Sequence, residues 1–232
     1  MKGIYLIIAS IVGTALLLSL LVYWQNYRSP APQLISDSQN RLAGPLTPKE
    51  QKVNDPTMND ENNPIAVIKT NLGEFELELF AKDMPITTGN FIALAESGFY
   101  NNTKFHRVID GFMIQGGDPN SKGKDESIYG MGGPGKTIQD EFVAGAHLSN
   151  IRGTISMANT GQPNSGGSQF FINLVDNTGL DFDKEPFSSK HPVFGRVISG
   201  MEVVDQIGKV ETKTASIPVE PVVIESITIV RQ

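Results

Sequence analysis

The sequence predicts a mainly β body, a closed or sandwiched antiparallel sheet with two helices, behind an apolar N-terminal segment. Three observations predict it. Short β-type runs recur through the C-terminal two thirds, separated by Gly- and Asn-rich turns. The chain carries 23 glycines and 14 prolines among 232 residues, a loop-rich composition ill suited to a helical bundle. Only two short stretches have helical spacing, at 84 to 98 and 201 to 207.

From Gly3 to Tyr27 no residue is charged, and the run from Ile4 to Trp24 is long enough to cross a bilayer, which takes roughly 20 residues. The apolar region of a cleaved leader is shorter, about 7–15 residues. This one ends in Tyr23, Trp24 and Tyr27, rings that favour the headgroup level. Residues 1–24 therefore read as a single-pass transmembrane anchor, with a cleaved secreted form as the competing reading. Lys2 lies on one side and Arg28 and Arg41 on the other, so the positive-inside count is nearly balanced. A short N-terminal tail left in the cytosol would make the body extracytoplasmic. Residues 25–63 are rich in Asn, Gln, Asp, Ser and Pro and poor in aliphatics, too polar to offset the entropy of ordering. They read as a disordered linker with a reach of roughly 35 Å.

The body spans 64–232. IAVIK at 65 to 69 and EFELELF at 74 to 80 form a strand pair, the second alternating Glu74, Glu76 and Glu78 with Phe75, Leu77 and Leu79. Asp83, placed before Pro85, is the expected cap of a helix that carries Ile86, Asn90, Phe91, Leu94 and Ala95 and stops near Gly98. Further strands are expected at 105 to 109, 112 to 115, 154 to 158, 169 to 174, 193 to 198 and 222 to 230, with the second helix at 201 to 207.

Composition and spacing narrow the chemistry. A net charge of −6 argues against a nucleic-acid surface, which depends on clustered Lys and Arg. With no cysteine there is no disulfide or thiolate. The three histidines, His106, His147 and His191, lack the spacing of a metal site, so none is expected. MGGPG at 131 to 135 lacks the ending of a phosphate loop and reads as a turn. Ser168 has no nucleophile elbow around it. The stretch FHRVIDGFMIQGGD at 105 to 118 places Arg107 close before Phe112, Met113 and Gln115. On physics alone these are an ion pair and ordinary core.

That stretch, SMANTGQPNSGGSQFFI at 156 to 172 and HPVFGRV at 191 to 197 together resemble the cyclophilins, peptidyl-prolyl cis-trans isomerases. The resemblance covers about 65 to 230. It implies a closed eight-stranded antiparallel barrel capped by two α-helices, with no cofactor and with proline-containing polypeptides as partners. Rotation about an X–Pro bond faces a barrier of about 18–20 kcal/mol and takes tens to hundreds of seconds unaided. The barrier is amide resonance, so no nucleophile is needed. A donor aimed at the prolyl nitrogen as it pyramidalises binds the twisted state more tightly than the planar one. The resemblance gives that role to Arg107, a planar fork that can be held while one N–H points at substrate. It makes Arg107, Gln115 and Phe112 the catalytic group. Met113, Asn159, Gln169, Phe171, Leu180 and His191 become the substrate-binding group; Phe112, Met113, Phe171 and Leu180 hold the proline ring, with His191 as a wall.

Two departures stand out. Many cyclophilins carry a tryptophan just before the leucine matching Leu180, where this chain has Gly179, which implies weak cyclosporin binding. The segment 181 to 190 is longer than the family's connection to the histidine, leaving Phe182 or Phe187 as alternative covers for the pocket. The expected function is a membrane-anchored prolyl isomerase assisting folding near the membrane. The rival is a tethered module that grips proline peptides without significant turnover.

Overall fold

Alternation along the chain becomes one antiparallel sheet because neighbouring runs can pair through their turns with apolar side chains on a common face. The computed structural model describes residues 62–184 and 190–231. The expected anchor at 1–24, residues 25–61 of the expected linker and Phe187 lie outside the described residues. No helix among those described is long and apolar enough to cross a membrane.

The strands are β1 (Ile65–Thr70), β2 (Gly73–Leu79), β3 (Thr103–Lys104), β4 (Arg107–Ile109), β5 (Met113–Gly116), β6 (Thr154–Met157), β7 (Phe170–Asn173), β8 (Val193–Ser199) and β9 (Val223–Val230). Their order across the sheet is β3-β9-β1-β2-β8-β6-β7-β5-β4. There are nine strands where eight were expected. The additional one, β3, pairs Thr103 with Ile224 and Lys104 with Val223, and two residues are too few to show a period. The expectation of a closed barrel is also corrected. β3 and β4 are the two terminal strands of the sheet and share no ladder, so its ends are joined through the chain itself, by Phe105 and His106.

The core gathers Phe75, Phe91, Tyr100, Phe105, Phe170 and Phe194, each at most 1% exposed. Full burial of a large apolar side chain contributes about 1.5–3 kcal/mol. Burial also pushes the Tyr100 phenol far above its ordinary titration range, while its hydroxyl donates to the Ser168 carbonyl. Helix α1 (Pro85–Glu96) buries Thr87, Phe91 and Ala95, at four-residue spacing, and packs against β8 and β9. Helix α2 (Met201–Gly208) buries Val204 and Ile207 and packs against β2, β4 and β5.

Two local expectations fail for the same reason, a partner distant in sequence. The N-cap position of α1 is Met84, with no side-chain cap. Glu141 supplies the acceptors instead, Oε1 to the Ile86 N–H at 3.0 Å and Oε2 to the Thr87 N–H at 2.8 Å. Asp83 pairs with His147. On β2, Glu74 is exposed as alternation predicts, but Glu78 is buried. Its carboxylate accepts from Arg196 Nε at 2.9 Å and from Asn63 Nδ2 at 3.0 Å, which satisfies a charge that would be costly alone.

Candidate active site

Strands β4, β5, β7 and β6 lie side by side, and their registers align one row of side chains: Arg107 opposite Gln115, Gln115 opposite Phe171, and Phe171 opposite Ser156. Side chains directly opposite on one face stand about 4.5–5.5 Å apart at Cβ. The next row is Ile109, Met113 and Asn173. Val108, Ile114, Ile172, Phe170, Ile155 and Met157, at the alternating positions, enter the core. Met113, 2% exposed, and Phe171, 5% exposed, are buried outside that core cluster. They form an apolar floor, with Arg107 exposed beside it.

A polar chain runs along the floor. Arg107 Nη1 donates to Gln115 Oε1 at 3.3 Å, and Gln115 Nε2 donates to Gln169 Oε1 at 3.0 Å. Gln169 Nε2 then donates to the carbonyl oxygens of Gly130 and Gly132, at 2.9 and 2.8 Å. The His191 ring stands edge-on to Phe171, with centroids 5.2 Å apart. Its Nδ1 lies 3.1 Å from the Met157 carbonyl, which can only accept, so Nδ1 carries the proton and Nε2 is a bare acceptor. Burial pushes the His191 imidazole below its usual range, and the bond to Met157 offsets this in part.

The His191 N–H donates to the Leu180 carbonyl at 3.1 Å, so these two expected wall residues are tied together across the longer connection. Asn159 Nδ2 donates to the carbonyl of Lys190 at 2.7 Å, next to His191, while its Oδ1 accepts from the Gly161 N–H. The Asn159 side chain thus holds the His191 wall. Phe112 is half-buried in the turn between β4 and β5; its carbonyl accepts from the Leu174 N–H and from Asn177 Nδ2, both at 2.9 Å. Phe182 stacks on Phe142, with centroids 5.6 Å apart.

Several supports were missed in the sequence. Asp181 accepts from Ser149 Oγ, the Asn150 N–H and Asn150 Nδ2, and Asn150 Nδ2 also donates to the His191 carbonyl. Gly130 and Gly132 fix Gln169. Their only signal is polar and glycine residues in loops, which gives no hint of the partner. Ser168 Oγ donates to the Gly117 carbonyl at 2.8 Å in a buried position, which removes it as a nucleophile. The assembled site is an exposed guanidinium held by amides beside an apolar floor, with a neutral imidazole as wall. Such a site can hold an apolar ring and direct an N–H at it.

Comparison with known proteins finds one family. Residues 65–229 match the family model described as cyclophilin type peptidyl-prolyl cis-trans isomerase/CLD. The chain is 41% identical over 170 residues to peptidyl-prolyl cis-trans isomerase A of Dickeya dadantii, covering 72% of this chain and 84% of that protein. It is 42% identical over 164 residues to peptidyl-prolyl cis-trans isomerase-like 3 of Dictyostelium discoideum, covering 70% and 92%. A crystal structure of a Cryptosporidium parvum cyclophilin type isomerase superposes with a TM-score of 0.62 at 32% identity, covering 73% of this chain and 99% of that one. The same protein has been crystallised in the presence of the dipeptide Ala-Pro, with a TM-score of 0.62 at 33% identity, covering 72% and 99%.

Proposed function

From the premise that the chain belongs to the cyclophilin-type peptidyl-prolyl cis-trans isomerases, we propose that Arg107 is the donor to the prolyl nitrogen in its reaction. The enzyme accelerates rotation about X–Pro peptide bonds. The observation that carries the residue roles is the row Arg107, Gln115 and Gln169 beside the floor of Met113 and Phe171. As the amide twists, conjugation is lost and the nitrogen gains a lone pair. A donor held in place beforehand stabilises that state without reorganising. Met113 and Phe171 receive the pyrrolidine ring, with Phe112, Leu180 and His191 around it. Gln115 and Gln169 orient Arg107 and the substrate, and the backbone of Asn159 contacts the residues before the proline. The dipeptide Ala-Pro, in whose presence the relative was crystallised, contains one bond of this kind. With Gly179 in place of a tryptophan, cyclosporin binds weakly.

The test is exchange NMR on an Ala-Pro peptide with the full chain and its Arg107→Ala variant. Removing one preorganised donor should lower kcat/KM by roughly 10²–10³. A variant as active as the wild type would overturn the role of Arg107. Peptide binding without accelerated exchange in either protein would make the domain an adaptor.

The proposal extends to place. Residues 4 to 24 anchor the enzyme in a bilayer with the domain extracytoplasmic, where it assists the folding of proline-containing chains near the membrane. The full chain should float with phosphatidylcholine–phosphatidylglycerol vesicles and stay with them after a high-salt wash. A mature chain that remains soluble and has lost its apolar segment by mass would instead mark a cleaved leader.

A further inference from the structure

The amide chain that ends on Arg107 has a direction, and the direction originates outside the strands. A carboxamide has one donor end and one acceptor end. Gln169 Nε2 faces the carbonyls of Gly130 and Gly132, which can only accept, so this end must be the NH₂. Its Oε1 is thereby turned to Gln115 Nε2, and Gln115 Oε1 to Arg107. Were the first amide reversed, its NH₂ would face the Gln115 NH₂; and if Gln115 turned to accept from it, the Gln115 NH₂ would face Arg107, which would lose its partner.

The two carbonyls sit in an irregular loop, and a single buried side chain holds that loop. Asp118 is 0% exposed. Its Oδ1 accepts from the Asn120 N–H at 2.8 Å and its Oδ2 from the Gly130 N–H. A Cβ on Gly132 would lie 2.1 Å from Asp118 Oδ1, so the absence of a side chain is what lets the loop close onto the carboxylate. Asn120 Nδ2 adds a bond to the Ile128 carbonyl at 3.1 Å. Gly117, at φ +82°, turns the chain from β5 into Asp118, and a Cβ there would sit 2.3 Å from the Ser168 carbonyl oxygen.

We infer that Asp118 is a positioning residue for isomerisation: by bonding the Gly130 N–H and letting Gly132 close against its carboxylate it sets the polarity of the Gln169–Gln115 chain and so aims Arg107. The inference rests on Arg107 being the donor. Asp118→Asn keeps the volume but turns one acceptor into an NH₂ that meets a backbone N–H. In the full chain, kcat toward an Ala-Pro peptide should fall about tenfold, the scale of one lost hydrogen bond. Peptide Kd should stay within about twofold, because the Met113 and Phe171 floor is untouched. The side-chain NH₂ resonances of Gln115 and Gln169 should shift in ¹H–¹⁵N spectra.

Gly132→Ala leaves the carboxylate intact and pushes the loop from it, and should give the same selective loss of kcat. A purely structural role for Asp118 would lower Tm and leave the folded fraction with wild-type kcat and unmoved glutamine resonances. That result in either folded variant overturns the inference. If Asp118→Asn does not fold, Gly132→Ala decides by the same readouts. A wild-type chain without activity would overturn this inference together with the role of Arg107, whereas variants that match an active wild type overturn this inference alone.

Discussion

On the inner face of strands β4, β5, β7 and β6 stand Val108, Ile114, Phe170, Ile172, Ile155 and Met157; on the outer face, at the alternate positions, stand Arg107, Gln115, Met113, Phe171 and Ser156. The inner side is wholly apolar and closed by α1 and the neighbouring aromatics. Its outer counterpart mixes a buried apolar floor with an exposed cation and an oriented amide chain. One backbone serves both because strand side chains alternate. The comparison teaches where the precision of the site comes from. Close packing on one face fixes strand positions that the other face uses to aim polar groups.

The sharpest way to break the comparison is to truncate adjacent phenylalanines that belong to opposite faces. The Phe170 ring meets those of Phe91, Tyr100 and Phe105 at 5.6, 5.7 and 6.2 Å. Phe170→Ala should cost about 3–5 kcal/mol in urea denaturation, since the cavity cannot be relieved by solvent. Phe171→Ala should cost less, about 1–2 kcal/mol, because its site adjoins the surface. Peptide titration should show at least a roughly tenfold loss of affinity in Phe171→Ala, the scale of one apolar side chain's burial. Equal stability losses and equal affinities would erase the distinction between the faces.

A smaller effect comes from two histidines. His106 is 4% exposed. Burial holds it below the ordinary 6.5, against the opposing pull of the Asp118 carboxylate and a hydrogen bond to the Lys104 backbone, and burial likewise holds His191 down. Both are neutral in the folded protein when their unfolded counterparts begin to protonate. Below about pH 6.5 the unfolded chain therefore binds more protons, so stability is full above that value and declines on acidification through it. Melting temperatures between pH 7.5 and 5.5 should show this slope, and His191→Asn should flatten it in part. An unchanged slope in variants lacking both imidazoles would assign the acid sensitivity to carboxylates.

What was legible in the sequence was what depends on near neighbours. The alternation at 74 to 80 located β2, and the spacing at 201 to 207 located α2 within a residue. Strand 105 to 109 was legible as one run, yet its ladder begins only at Arg107, and the preceding residues instead join the sheet's ends. Asp83 has the right residue type and place for a cap, but Glu141 takes the role from 55 positions away because its carboxylate reaches two N–H groups at once. The site divides in the same way. Resemblance named Arg107, Gln115 and Gln169, while alternation alone gave no reason for them to meet. Asp118 and the Gly130–Gly132 carbonyls carried no local signal, since their relation exists only once β5, β7 and the loop are brought together.

The terminal strands of the sheet have a consequence for the company this enzyme keeps. A proline-containing peptide brings unpaired backbone, and a long open strand edge would recruit it into a growing sheet. Here the terminal strands are two and three residues long. The Lys104 N–H, on the side of β3 away from β9, is taken by Ser121 Oγ at 2.9 Å. A bound chain therefore meets little open edge to zip onto.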